Sequence, residues 1–137
     1  MKETLNITLI QANLFWEDVD ANLSHFDNLL SNVNKTDIIL LPEMFNTAFC
    51  LESTHLAEKM DDKTISWMKE IAKQKNCAIT GTLMIKENGK VYNRLVWILK
   101  NGEIHTYDKH HLFSLLKEER YIAKGVGRLI VELDGWK

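Results

Sequence analysis

Apolar positions along the chain change their spacing several times, and each spacing predicts an element. In Leu5-Asn6-Ile7-Thr8-Leu9-Ile10, the residues Leu5, Ile7 and Leu9 recur at every second position. That is the period of a strand, which Gln11-Ala12-Asn13 ends. Leu23, Phe26, Leu29, Leu30 and Val33 then fall three and four apart, one stripe of a helix that Asp20 is placed to cap and Asn34 to close. Ile38-Ile39-Leu40-Leu41 is short, continuously apolar and stopped by Pro42, the pattern of a strand buried on both faces of a largely parallel sheet. After a mixed loop, Asp61-Asp62 precede Ile65, Met68, Ile71 and Ala72 at helical spacing. Lysines gather at the far end of this second helix, where its dipole favours them, and it stops near Asn76.

From Cys77 the spacing returns to that of strands. Cys77 to Ile85 reads as one, Asn88-Gly89 is a strong two-residue hairpin signal into Val91 to Leu99, and Asn101-Gly102 turns the chain again into Ile104 to Tyr107. Alternating strands and helices followed by hairpins predict an α/β fold with a mixed sheet and helices on one face. Leu129 to Leu133 alternates like a further strand, and Asp134-Gly135 is another hairpin signal with only Trp136 and Lys137 after it. A return arm two residues long would leave its partner as an unpaired edge, so the expectation is a truncated chain or part of a longer one.

Composition narrows the function classes. With 137 residues, 45% hydrophobic and 26% charged, the chain can bury a core. A formal net charge of -2, with basic residues dispersed, lacks the footprint that a phosphate backbone requires, so no nucleic-acid partner is expected. There is no apolar leader after Met1-Lys2-Glu3-Thr4 and no apolar run long enough to span a bilayer, so no membrane partner is expected. Cys50 and Cys77 form no CxxC pair, and the reading is a cytoplasmic protein in a reducing compartment.

Several residues could carry chemistry. Glu43 directly follows the apolar run Ile38 to Leu41, and in open sheets with parallel strands ligands bind beyond the carboxyl ends of the strands. Flanked by Met44 and Phe45, its carboxyl is expected to be partly desolvated, which would move its pKa toward the range of a general base and acid. Position alone does not separate it from a solvated loop glutamate. Lys109, at the end of another predicted strand, could set its ammonium against a developing oxyanion; a solvated loop lysine is the bland alternative. His110-His111, with His105 or Glu118, invite a metal reading, but no HExxH or HxxxH spacing supports it and no metal site is expected. Glu118 and Glu119 would by themselves pass for a charged helical surface. Cys77 begins a core strand, where a free cysteine is an inert small hydrophobe, whereas Cys50 lies in the loop beyond Glu43 without a local base. Trp16, Trp67, Trp97 and Trp136 are read as core or interface residues.

Taken together, Leu41-Pro42-Glu43-Met44-Phe45, then Tyr107-Asp108-Lys109-His110-His111-Leu112-Phe113, then Glu118 and Gly125 resemble, in order and spacing, the signatures of the nitrilase (carbon-nitrogen hydrolase) superfamily. The resemblance spans nearly the whole chain. It is strongest to the ω-amidase branch, because Met-Phe-Asn-Thr follows Glu43 and His-His-Leu-Phe follows Lys109. It implies a nitrilase-like αββα sandwich, of which residues 1–137 would be the N-terminal portion of a single incomplete domain. It also implies Glu43 as general base, Lys109 as the oxyanion-stabilising lysine, and Glu118 as the second glutamate, with Glu119 as the alternative. The nucleophilic cysteine would lie beyond Lys137, so the chain alone is expected to be inactive. The implied substrate is a small linear amide, the ω-amide of a dicarboxylic or 2-oxo acid, cleaved through a thioester without metal or organic cofactor, by a protein that is a homodimer when intact. Two alternatives stand beside it: another C–N substrate or acceptor (nitrile, carbamoyl group, acyl transfer), and a non-catalytic half-domain for binding or assembly.

Overall fold

Parallel pairing gives way to antiparallel pairing within one five-stranded sheet, as the change in apolar spacing predicts. The computed structural model describes residues 2–137. In chain order it contains β1 (Ile7–Leu9), α1 (Val19–Ser31), β2 (Ile38–Leu40), α2 (Lys63–Lys75), β3 (Ala78–Glu87), β4 (Lys90–Ile98) and β5 (Ile104–Asp108). The strands lie side by side in sequence order; β1, β2 and β3 are parallel, and β3, β4 and β5 are joined as antiparallel hairpins. The first hairpin turns on Asn88 and Gly89, both at positive φ (50° and 75°), the mirror-image turn that matches strand twist.

Register divides the sheet into two faces. Ile39, Ile79, Ile98 and Ile104 stand in line across β2 to β5, since side chains of paired residues share a face. They pack against Phe26 and Leu30 of α1 and Ile65, Met68, Ile71 and Ala72 of α2. Each large side chain buried there contributes about 1.5–3 kcal/mol, so this face is the main source of stability. Phe26, Phe45 and Trp67 meet at centroid distances of 5.7 to 6.2 Å, tying α1, the loop after β2 and α2 together.

The opposite face is only partly covered. Ile7 and Leu9 are 56% and 72% exposed, so the apolar side of β1 turns away from the helices. Leu40 is also exposed, and the expectation that the run Ile38 to Leu41 is buried on both faces is corrected at that residue. A cavity of about 850 Å³ lies between this face and the C-terminal arm, lined by Leu95, Trp97, Tyr107 and residues 127–131.

Other corrections are local. Asp18, not Asp20, caps α1, because its backbone is extended and its carboxylate accepts the Ala21 N–H at 2.9 Å. Asp20 falls in the first turn and pairs with Lys63 at 2.6 Å. The helix ends at Ser31, so Val33 lies beyond it, and Leu29 is exposed rather than part of the stripe. The strand expected over Leu129 to Leu133 does not form: among the described residues it has no ladder partner, and pairing there is limited to a Leu133–Trp136 bridge across the turn at Asp134 and Gly135. No helix among the described residues is long and apolar enough to cross a membrane.

Candidate active site

Glu43 is held by a loop that keeps bonding to β3 after β2 has ended. Leu41 N–H donates to the Thr80 carbonyl, Met44 N–H to Thr82 Oγ1 at 2.9 Å, and Phe45 N–H to the Thr82 carbonyl. Gly81 makes this path possible, since a Cβ there would stand 2.9 Å from both Leu41 Cβ and the Phe45 ring. From α1, the buried Asn22 amide donates to the carbonyls of Phe15 and Asn46. From the other side, the buried Glu58 carboxylate accepts from Asn46 Nδ2, from Thr64 Oγ1 and from the Thr64 N–H at the start of α2. The chain turns through positive φ at Met44 (47°) and Ala48 (62°), and Met44 and Phe45 bury into two separate clusters. Glu43 therefore points outward. Its side chain keeps 48% of its exposure, while Met44 and Phe45 turn away from it into the core.

Lys109 leaves the end of β5 clamped by its backbone: its N–H donates to the Asn93 carbonyl and its carbonyl accepts from Gly125 N–H, both at 3.0 Å. One residue earlier, Asp108 accepts from Arg94 Nε and Nη2 at 2.7 and 3.0 Å, and Arg94 also reaches Glu87. Asp108 and then Glu87 hold the nearly buried guanidinium protonated well above its ordinary pKa, against the opposing effect of burial. Glu118 enters after Lys117 adopts a left-handed conformation (φ 56°), which turns the chain back toward the sheet.

These three side chains meet. Lys109 Nζ lies 2.8 Å from Glu43 Oε1 and 2.9 Å from Glu118 Oε2. Its charged form is disfavoured by burial, but the hydrogen bonds and charges of Glu43 and Glu118 outweigh this and raise its pKa, so an ammonium is present at neutral pH. The Phe49 ring lies 5.5 Å from the same nitrogen. Glu118 is fully buried and also accepts from the Phe113 N–H, whereas Glu119 is exposed and lines a different surface pocket. A cavity of about 390 Å³ opens over the group, lined by Glu43, Phe49, Lys109, His111, Leu112 and Phe113 among others. The larger cavity by the C-terminal arm does not include the two carboxylates or the ammonium.

Neither cysteine lines that cavity. Cys50 is buried beside it, its thiol pKa raised by burial, and Cys77 sits at the start of β3 with its pKa raised by burial to about 11. The His110 and His111 rings meet edge to face at 4.8 Å, but His110 Nδ1 lies 2.8 Å from the Gly125 carbonyl and His105 pairs with Glu103 instead. Among the described residues no three His, Cys, Asp or Glu side chains are grouped to hold a metal. Asn93 and Phe49 do not stand out as functional residues in the amino-acid sequence. Strand parity was the available signal for Asn93, a polar residue on the same face of β4 as Leu95 and Trp97.

The carbon-nitrogen hydrolase family matches residues 6–134 of the chain. An ω-amidase YafV of Escherichia coli is 38% identical over 133 residues, covering 97% of this chain and 52% of the relative. A 2-oxoglutaramate amidase of Bacillus subtilis is 30% identical over 135 residues, with 96% and 52% covered. The chain spans about half the length of the curated relatives it matches. Among solved structures, a CN-hydrolase superfamily protein of Xanthomonas campestris, described with an arsenic adduct in its active site, superimposes with a TM-score of 0.93 at 36% identity, over 96% of this chain and 50% of that one.

Proposed function

The chain belongs to the carbon-nitrogen hydrolase family, and on that premise we propose that the protein carrying it hydrolyses the ω-amide of a small dicarboxylic or 2-oxo acid. The observation that carries the reading is the Lys109 ammonium held between Glu43 and Glu118 at the mouth of a cavity beyond the strand ends. The names of the ω-amidase and 2-oxoglutaramate amidase relatives support the substrate class.

In this reading a cysteine thiolate attacks the amide carbon. A C–S bond forms, the carbonyl electron pair moves to oxygen, and the Lys109 ammonium stabilises that oxyanion. Glu43 carries the proton that the departing nitrogen needs; the C–N bond breaks, and ammonia and a thioester result. Water then attacks the thioester, Glu43 takes its proton, and collapse returns the thiol and releases the carboxylic acid. Glu118 holds Lys109 in place. No step calls for a metal or an organic cofactor.

We assign the nucleophile to sequence outside Met1 to Lys137, and residues 1–137 to the N-terminal portion of a single αββα domain whose uncovered sheet face a second layer would complete. The family resemblance also supports a homodimer for the intact protein. The test is ammonia release from 2-oxoglutaramate and succinamate by the full-length protein and by the 137-residue chain. Turnover by the former and not the latter is expected. Hydrolysis by the 137-residue chain that disappears in Cys50→Ala would overturn the nucleophile assignment, and a full-length protein inert toward both amides would overturn the substrate class.

A further inference from the structure

One residue touches all three members of the cluster. Asn93, on β4 and 1% exposed, donates from Nδ2 to Glu43 Oε1 at 2.8 Å and to Glu118 Oε1 at 3.2 Å, and its backbone carbonyl accepts the Lys109 N–H at 3.0 Å. The orientation of this amide is dictated by its surroundings. Turned over, it would set a carbonyl oxygen against two carboxylates, whereas as placed both Nδ2 hydrogens are used. The cost is visible: Asn93 Oδ1 is buried with no hydrogen-bond partner among the described residues. A buried amide that leaves its acceptor unmet in order to point its donors at two carboxylates is arranged for those carboxylates.

The consequence falls on Glu43. Its Oε1 accepts from both Asn93 Nδ2 and Lys109 Nζ, which leaves the bonds of the other oxygen, Oε2, free for a proton in transit. Among the described residues no other side chain hydrogen-bonds this half-exposed carboxylate: the loop fixes its backbone, but Met44 and Phe45 turn inward and away from it. Without Asn93, the Lys109 ammonium, on a long and flexible stem, would be left to join Glu43 and Glu118.

We propose that Asn93 is the positioning residue of this site: it fixes which oxygen of Glu43 is available to move the proton and holds the two glutamates on either side of Lys109. The proposal rests on the hydrolase reading above for its catalytic consequence, and on the geometry alone for its structural one. The titratable groups facing Glu43 are Lys109 directly, Glu118 beyond it and His111 across the cavity; Arg94, Asp108 and Glu87 form their own cluster on the other sheet face.

The experiment uses Asn93→Asp, which keeps size while replacing two donors by a charge, and Asn93→Ser, which keeps one donor and serves if the aspartate variant does not fold. In the full-length protein both variants are expected to lower kcat by about 10- to 100-fold with KM changed by about twofold or less. In the 137-residue chain, carbon-13 NMR relaxation is expected to show the Glu43 side chain ordered in the parent and mobile in either variant, whether or not any amide is hydrolysed. A Glu43 side chain loosened by the substitutions in a protein without hydrolase activity would uphold Asn93 and sink the functional reading. An active protein whose kcat and Glu43 side-chain order are unmoved by either substitution would sink Asn93 and leave the functional reading intact.

Discussion

Phe113 and Glu118 hold each other. The Phe113 N–H donates to Glu118 Oε2 at 2.6 Å, and the Glu118 N–H donates to the Phe113 carbonyl at 3.3 Å, so a six-residue loop closes on itself and delivers a fully buried carboxylate to Lys109. Its neighbour Glu119 faces solvent. Glu118→Gln keeps the shape but removes the charge beside the ammonium and is expected to lower kcat/KM of the full-length protein by about 100-fold. Glu119→Gln is expected to stay within about twofold of the parent. Equal effects from the two substitutions, measured side by side on the same amide, would contradict the assignment of the second glutamate to Glu118.

Gly125 is a steric requirement of the Lys109 clamp. A Cβ there would stand 2.0 Å from the Asp108 carbonyl oxygen and 2.6 Å from Asp108 Cβ, backbone and branch atoms that cannot swing aside. Gly125→Ala is expected to cost about 1–3 kcal/mol by chemical denaturation, the usual range for overpacking. It is also expected to slow turnover, because the displaced strand end carries Lys109. An alanine variant as stable as the parent would show that the 123–126 segment is not tied to β5.

Arg94 anchors the same strand end from the helix-side face. Arg94→Ala would strand Asp108, which keeps about a fifth of its side-chain exposure, and lose the link to Glu87. The expected destabilisation is about 3 kcal/mol, the low end for breaking a buried pair. Arg94→Lys is expected to recover only part of it, since an ammonium cannot bridge Asp108 in the two-pronged way seen here. Full recovery by lysine, read from urea midpoints, would mean that charge alone and not the forked geometry matters.

Cys77 links stability to alkaline pH. Burial raises its thiol pKa from 9.0 to about 11, so in the folded state the proton is held where the unfolded chain has released it. Its contribution is fully present below pH 9 and is lost as pH rises from about 9 through 11. The stability difference between parent and Cys77→Ala is therefore expected to shrink over that window and stay constant below it. A difference independent of pH from 8 to 11, by urea denaturation, would contradict a buried, protonated thiol.

Most of the elements, in their order and type, and the ends of the strands that carry chemistry are legible in the amino-acid sequence. Local spacing suffices for that: Leu23, Phe26 and Leu30 mark α1, Asn88-Gly89 marks the β3–β4 turn, and Pro42 follows the end of β2 while Asp108 closes β5, which leaves Glu43 and Lys109 beyond them. Motif order, through resemblance, added the family. What it left open are matters of pairing across the chain. The choice between Glu118 and Glu119 depended on a left-handed turn at Lys117 that aims one of two adjacent carboxylates inward. The part of Asn93 depended on β4 lying between β3 and β5, which brings an amide distant in sequence against Glu43 and Glu118. The expected strand over Leu129 to Leu133 failed for the same reason, because alternation makes a strand only where a neighbouring backbone supplies its hydrogen bonds. Periodicity is a property of neighbours along the chain, whereas burial, ladder pairing and the meeting of Lys109 with two carboxylates belong to neighbours in space, and only the tertiary structure decides those.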